Sequence, residues 1–221
     1  MFIVEGNIGA GKSTFLSLLR AACSDFSIVQ EPLHNWASER YGQSLLEEFY
    51  KKPERWAFTI ETFAMIARSL DHVKYQKNPG SPAVLERSIY SGHYCFAQNG
   101  LQEGYFNEIE WAVYAQWAEF ILHQQCKPPR GFIYLRTSPE ICHTRMHKRA
   151  RSGEELVSLD YLRNIHVRHE KFLITKEVLD LHLHNVPVLV LDVDEDFHTS
   201  DAAFKQHLAK TIAFIEENHR K

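Results

Sequence analysis

The chain has 221 residues, 44% of them hydrophobic and 24% charged, with a formal net charge of −3. That balance fits a soluble globular protein with one sizeable domain, 1–221. It excludes the broad electrostatic footprint of a nucleic-acid or anionic-membrane binder, so any phosphate must be held by a local site.

The first apolar run, residues 2–4, ends in Glu5. It leads into Gly6-Asn7-Ile8-Gly9-Ala10-Gly11-Lys12-Ser13-Thr14, a G-x-x-x-x-G-K-[ST] sequence placed between a strand and a helix. Glycines let backbone N–H groups converge on phosphate oxygens, and the positive end of the following helix adds to this. Lys12 supplies a mobile charge to the outer phosphates, and Ser13 reads as a Mg²⁺ ligand. The second run, 27–29, is followed by Glu31-Pro32. Trp56, Ile60, Phe63, Ala67 and Leu70 recur at spacings of three and four, which predicts a helix with one apolar stripe. The third run, 83–85, precedes Glu86-Arg87-Ser88. The segment 108–125 is apolar over more than one helical face, a pattern of a central helix or of one against another subunit, and it points to a homodimer.

The fourth run, 132–135, ends at Arg136 and is followed by a basic stretch containing Arg145, Arg149 and Arg151. The fifth, 186–191, ends at Asp192. Five apolar runs alternating with helices predict an α/β fold with a parallel sheet, and every polar residue after a run then falls on the ligand side. Glu31 can accept a proton from an attacking hydroxyl, and Arg87 can steady that carboxylate or the transferring phosphoryl. The basic stretch reads as a short lid, about 145–157, over a triphosphate. Residues 78–82 and 149–155 are the longer loops, and no repeat or linker interrupts the chain.

Cys23, Cys95, Cys126 and Cys142 form no CxxC pair and read as reduced, mostly buried thiols. The histidines show no metal-ligand spacing with cysteines, including His182 and His184 in LHLHN. No run of about 18 apolar residues and no targeting peptide is recognised, so a cytoplasmic protein is expected, with a processed mitochondrial form as the alternative.

EGNIGAGKST, EPLHNW, YKKPERWAFTIETFAMIAR, ERSIYSGHYCF, IYLRTSPEICHTRMHKRARSGEE, DYL and LDVDEDF stand in this order over nearly the whole chain. In this it resembles the deoxynucleoside kinases, the family of deoxycytidine, deoxyguanosine and mitochondrial thymidine kinases and the multisubstrate insect enzyme. The resemblance implies a P-loop kinase fold, a five-stranded parallel sheet of order 2-3-1-4-5 with an arginine-rich lid. It implies transfer of the γ-phosphate of ATP, with Mg²⁺, to a deoxynucleoside 5′-hydroxyl in nucleotide salvage. Matched residue by residue, Glu31 is the general base, Arg87 lies beside the 5′-hydroxyl, and Glu86 helps to hold magnesium. Tyr50 and Glu154 bind the sugar 3′-hydroxyl, and Arg145, Arg149 and Arg151 are lid arginines. Glu195, Asp196 and Phe197 surround the donor base, while Trp36, Phe96 and Ile8 wall the acceptor pocket.

Two positions depart from the family pattern. Glu61 stands where a base-reading glutamine is usual. A carboxylate only accepts hydrogen bonds, which suits the adjacent N1–H and N2–H₂ donors of guanine and disfavours the other bases. Gly92 stands where relatives place an aspartate beside Arg68, so Arg68 is expected either to reach O6 and N7 of guanine or to pair with Glu61. The small residue at 92 also resembles the insect enzyme, which leaves broad specificity open.

Overall fold

The structure is a computed structural model that describes residues 1–31, 44–77, 80–177, 180–195 and 201–219. Strands β1 (Phe2–Glu5), β2 (Ser27–Val29), β3 (Ala83–Glu86), β4 (Gly131–Arg136) and β5 (Val188–Asp192) form one sheet of order β2-β3-β1-β4-β5. All pairings are parallel. Phe2 lies opposite Val84 on one side and Gly131 on the other, and Arg136 pairs with Asp192. The anticipated order is therefore present. β5 starts two residues later than its apolar run: Val186 N–H still bonds back to Leu183, while the Pro187 carbonyl already accepts from Phe132.

Alternation along the strands divides the core in two. Ile3, Phe132 and Tyr134 face a cluster with Ile60, Tyr90, Tyr114 and Phe172. Phe2, Val4, Ile133 and Leu135 face Phe15, Leu16, Cys142 and Ile215 on the other side. The helices that cover these faces are α1 (Lys12–Ala22), α2 (Leu45–Lys51), α3 (Pro53–Gln76), a helical stretch α4 (89–102), α5 (Glu108–Phe120), α6 (Pro139–Arg149), α7 (Leu159–His169), the short α8 (Leu181–His184) and α9 (Asp201–His219). None of the described helices is long and apolar enough to cross a membrane. All four cysteines are free thiols.

Local chemistry starts the helices where the sequence allows. Pro53 sits in the first turn of α3, and no glycine or further proline interrupts that helix. Asn107 and Glu110 close a reciprocal capping box on α5. The predicted stripe on α3 splits, however. Ala57, Ile60, Ala64 and Met65 turn inward, while Phe63, Ile66 and Leu70 stay exposed, Leu70 by 67%. The outward apolar residues continue onto neighbouring α5, where Ile109 is 78% and Trp117 54% exposed. Two faces of each helix are thus apolar, one used by the core and one not.

Candidate active site

The carboxyl ends of β1, β2 and β3 and the start of α1 meet in one cavity of about 360 Å³. β1 is the switch point of the strand order, where a doubly wound sheet leaves such a crevice. Its lining includes Gly9, Gly11, Lys12, Ser13 and Thr14, then Glu31, Glu86 and Arg87 from the strand ends.

The phosphate loop is held in shape by its own side chains. Gly9 has φ 80°, and a Cβ there would lie 2.3 Å from the Cys142 carbonyl oxygen, so only glycine fits. Buried Asn7 donates from Nδ2 to the Leu162 carbonyl at 2.8 Å, and its Oδ1 accepts from Ile8 N–H. Lys12 Nζ donates to the carbonyls of Gly6 (3.1 Å) and Asn7 (2.7 Å). Burial, with Arg87 nearby, lowers the Lys12 pKa to about 7. A triphosphate would add negative charge to that which Glu86 and Glu31 already bring near this ammonium. Ser13 Oγ donates to Glu86 Oε1 at 2.8 Å. A hydroxyl and a carboxylate oxygen side by side at the loop are the hard oxygen donors Mg²⁺ takes, with phosphate and water completing the shell.

Glu31 is the most firmly held group. Arg68 donates to its Oε1 from Nε (3.0 Å) and Nη2 (2.6 Å), and Arg87 Nε lies 3.4 Å from Oε2. Burial alone would raise this carboxyl, but the Arg68 and Arg87 charges overcome it and hold the pKa below the usual range. Glu31 is therefore an oriented carboxylate at neutral pH. Arg87 itself adopts φ 62°, left-handed backbone that a non-glycine residue takes at a cost of about 1–2 kcal/mol. Its guanidinium stacks over Phe96 at 4.6 Å, and Nη1 is buried without a hydrogen-bond partner among the described residues, a donor suited to an oxygen of the transferring group.

Arg68 therefore pairs with Glu31, a partner that neither expectation named, with Glu61 as a neighbouring charge. The reason is Gly92. A Cβ at that position would lie 2.8 Å from Arg68 Nη1, so its absence leaves room for the guanidinium to lie flat against the helix and reach Glu31.

The lid residues are also engaged. Arg149 makes a two-pronged pair with Glu154 (3.1 and 2.6 Å), and Arg151 adds a third contact at 3.4 Å. Glu154 is only 2% exposed. It shows no hydrogen bond to Tyr50 among the described residues, but burial and the Glu154 charge push the Tyr50 phenol well up, keeping its hydroxyl protonated. Arg145 reaches the backbone carbonyls of Val193, Asp194 and Glu195 at 2.9–3.0 Å, so it anchors the segment after β5 while lining the cavity. Trp36, Asp196 and Phe197 lie outside the described residues.

Much of the remaining lining is apolar or aromatic, including Ile8, Leu46, Phe49, Tyr50, Phe96 and Tyr161. Leu46 and Tyr161 were not singled out from the sequence. Leu46 precedes Tyr50 by one helical turn on α2, and that spacing is the signal that identifies it. Glu61 joins this wall from α3. Elsewhere, His123, Asp180 and His182 bring ligand-type atoms within 4.8 Å of one another, with Asp180 Oδ2 accepting from the Tyr94 hydroxyl at 2.6 Å. Sequence spacing hides that grouping because His123 lies far along the chain from Asp180 and His182.

A phosphate loop, an adjacent oriented carboxylate with two arginines, and an aromatic chamber form a site for moving a phosphoryl group onto a small hydroxylated aromatic molecule. The family model for deoxynucleoside kinases matches residues 2–216. Deoxycytidine kinase 2 of Gallus gallus is 38% identical, over 88% of this chain and 82% of its own length. Mitochondrial deoxyguanosine kinase of Xenopus laevis is 36% identical, over 96% and 88%. A probable deoxycytidine kinase of fowlpox virus is 37% identical, over 97% and 87%. Fold, site and these matches agree: the chain belongs to the deoxynucleoside kinase family, ATP-dependent phosphotransferases.

Proposed function

We propose that this kinase transfers the γ-phosphate of ATP to the 5′-hydroxyl of a deoxynucleoside, taking purines and above all deoxyguanosine, as a salvage enzyme of the cytoplasm. The observation that carries the chemistry is the Glu31 carboxylate, fixed by Arg68 and Arg87 in the same cavity as Lys12. Glu31 orients the 5′-hydroxyl and accepts its proton as the O–P bond forms. A weak base suffices, because a loose transition state makes the hydroxyl acidic only late in the transfer. Arg87 meets the charge that spreads over the equatorial phosphoryl oxygens.

Gly6 to Thr14 cradle the triphosphate, and Ser13 and Glu86 hold Mg²⁺. When bound, that ion would neutralise phosphate charge during the transfer. Arg149 and Arg151 cover the phosphates as a lid of about 145–157. Glu154, which they grip, receives the sugar 3′-hydroxyl together with Tyr50, so lid and sugar are linked through one carboxylate. Arg145 fixes the segment that leads to Asp196 and Phe197 around the donor base.

Guanine is favoured because Glu61 is the lining carboxylate without a hydrogen bond or ion pair among the described residues, whereas Glu31, Glu86 and Glu154 each have partners. A double acceptor meets the paired donors of guanine. Deoxycytidine is the second reading, favoured by the names of relatives such as the Gallus gallus enzyme. Glu61→Gln decides between them: it is expected to lower the ratio of kcat/KM for deoxyguanosine over deoxycytidine by about tenfold or more. An unchanged ratio removes Glu61 from base selection.

The same reading includes a homodimer through α3 and α5, supported by the contiguous exposed Phe63, Ile66, Leu70, Ile109, Val113 and Trp117. Trp117→Glu is expected to shift sedimentation from dimer to monomer, because each charge would face its symmetry mate in an apolar contact. A wild-type protein that sediments as a monomer would contradict it.

A further inference from the structure

Glu61 lines the cavity from α3 together with Leu46, Tyr50, Phe96 and Tyr161, and its carboxyl has no hydrogen bond or ion pair among the described residues. A carboxyl so placed has two usable forms. As an anion it presents acceptors only, the complement of guanine. As a neutral acid it presents one donor and one acceptor, the complement of the Watson–Crick edges of adenine and cytosine. Burial without a partner favours the neutral form, whereas arginines nearby favour the anion, so the balance of surroundings decides where the change occurs.

Those surroundings come from every element around it. Arg68, two turns further along α3, and Arg87, after β3, stabilise the anion, while Glu31, after β2, opposes it. Tyr114 on α5 and Tyr161 on α7 also face it and remain neutral phenols. Much of the arginine charge is already committed to Glu31, which is why it does not dominate at Glu61.

We propose that Glu61 reads the nucleobase in two protonation states, as a carboxylate selecting deoxyguanosine and as a carboxylic acid selecting deoxyadenosine or deoxycytidine, so that acidity sets the substrate. The inference rests on the reading of this cavity as a deoxynucleoside 5′-kinase site. Desolvation outweighs both arginines and raises the Glu61 pKa to about 7, which places the change within the physiological range.

The test is kcat/KM for deoxyguanosine, deoxyadenosine and deoxycytidine at saturating ATP and Mg²⁺, from about pH 6 to about pH 8, in wild type and Glu61→Gln. Taking ratios between substrates cancels Glu31 and Lys12, which act on the phosphoryl group whatever the base. In wild type the deoxyguanosine-to-deoxyadenosine ratio is expected to rise about tenfold per pH unit, up to about a hundredfold across this range, and the glutamine variant to be flat. Calorimetry on the wild type in two buffers of different ionisation enthalpy gives a check that needs no variant. Near neutral pH, deoxyguanosine binding should release protons and deoxyadenosine binding should take them up.

A wild-type ratio that is independent of pH, with Glu61→Gln altering base preference, overturns the two-state reading and leaves the 5′-kinase assignment standing. Identical ratios and pH profiles in both proteins remove Glu61 from the base altogether. Absence of any 5′-monophosphate product from all three nucleosides at every pH instead overturns the underlying kinase assignment.

Discussion

Glu31→Gln is expected to lower kcat by about 10²–10⁴-fold, with KM for the deoxynucleoside and for ATP changing little. Glutamine keeps the size and one acceptor oxygen, which can take both Arg68 bonds at Oε1, while its amide nitrogen replaces the oxygen facing Arg87. What it loses is the capacity to take a proton and the charge that orients the hydroxyl. Steady-state kinetics with both substrates varied separates the two effects. Retention of wild-type kcat would show that Glu31 is a structural anion between two arginines and that the proton leaves by another route.

Arg68→Met should have the second large effect, and it reaches activity through Glu31. The Arg68–Glu31 pair is nearly enclosed, with side chains 11% and 5% exposed. Removing one partner of a buried pair costs about 3–5 kcal/mol, because the remaining charge is stranded. Arg87 stays near Glu31, so the lower end of that range is expected in urea unfolding at neutral pH. The pH dependence follows from the sign of the shift. The Glu31 pKa is depressed in the folded protein, so its stabilising contribution is present above the unfolded carboxylate pKa and is lost as pH falls through the folded value. In the methionine variant that depression shrinks. The part of the acidic loss of stability that comes from Glu31 is therefore smaller than in wild type, while the acidic limb of kcat moves to higher pH. Unchanged stability together with an unchanged pH–rate profile would show that Arg68 does not hold Glu31 in place.

The sheet was legible because each strand is a compact apolar run closed by a polar residue, and because parallel strands buried on both faces leave little room for other patterns. The phosphate loop was legible for a different reason. Its geometry depends on neighbouring residues, with glycines such as Gly9 where a Cβ would collide with backbone. Glu31, Glu86 and Arg87 could be placed on the ligand side from their positions at strand ends alone.

Side-chain partners were far less legible. Arg68 and Glu31 lie on different elements, and only the packing of α3 against the sheet shows that an empty position at Gly92 redirects the guanidinium. The same holds for Arg145, which reads as a phosphate ligand in a basic run yet binds the carbonyls of 193–195. Periodicity on α3 found the helix but could not distinguish its core face from its outward face. Both are apolar.

Phosphorylation of the natural deoxynucleosides by the wild-type enzyme with ATP and Mg²⁺ is the most direct test of the assignment, with the product's phosphate position read by ³¹P–¹H correlation. A 5′-monophosphate with deoxyguanosine as the best substrate at slightly alkaline pH is the expected result. A pyrimidine preferred throughout the pH range, or phosphate appearing at any position other than the 5′-oxygen, would contradict it.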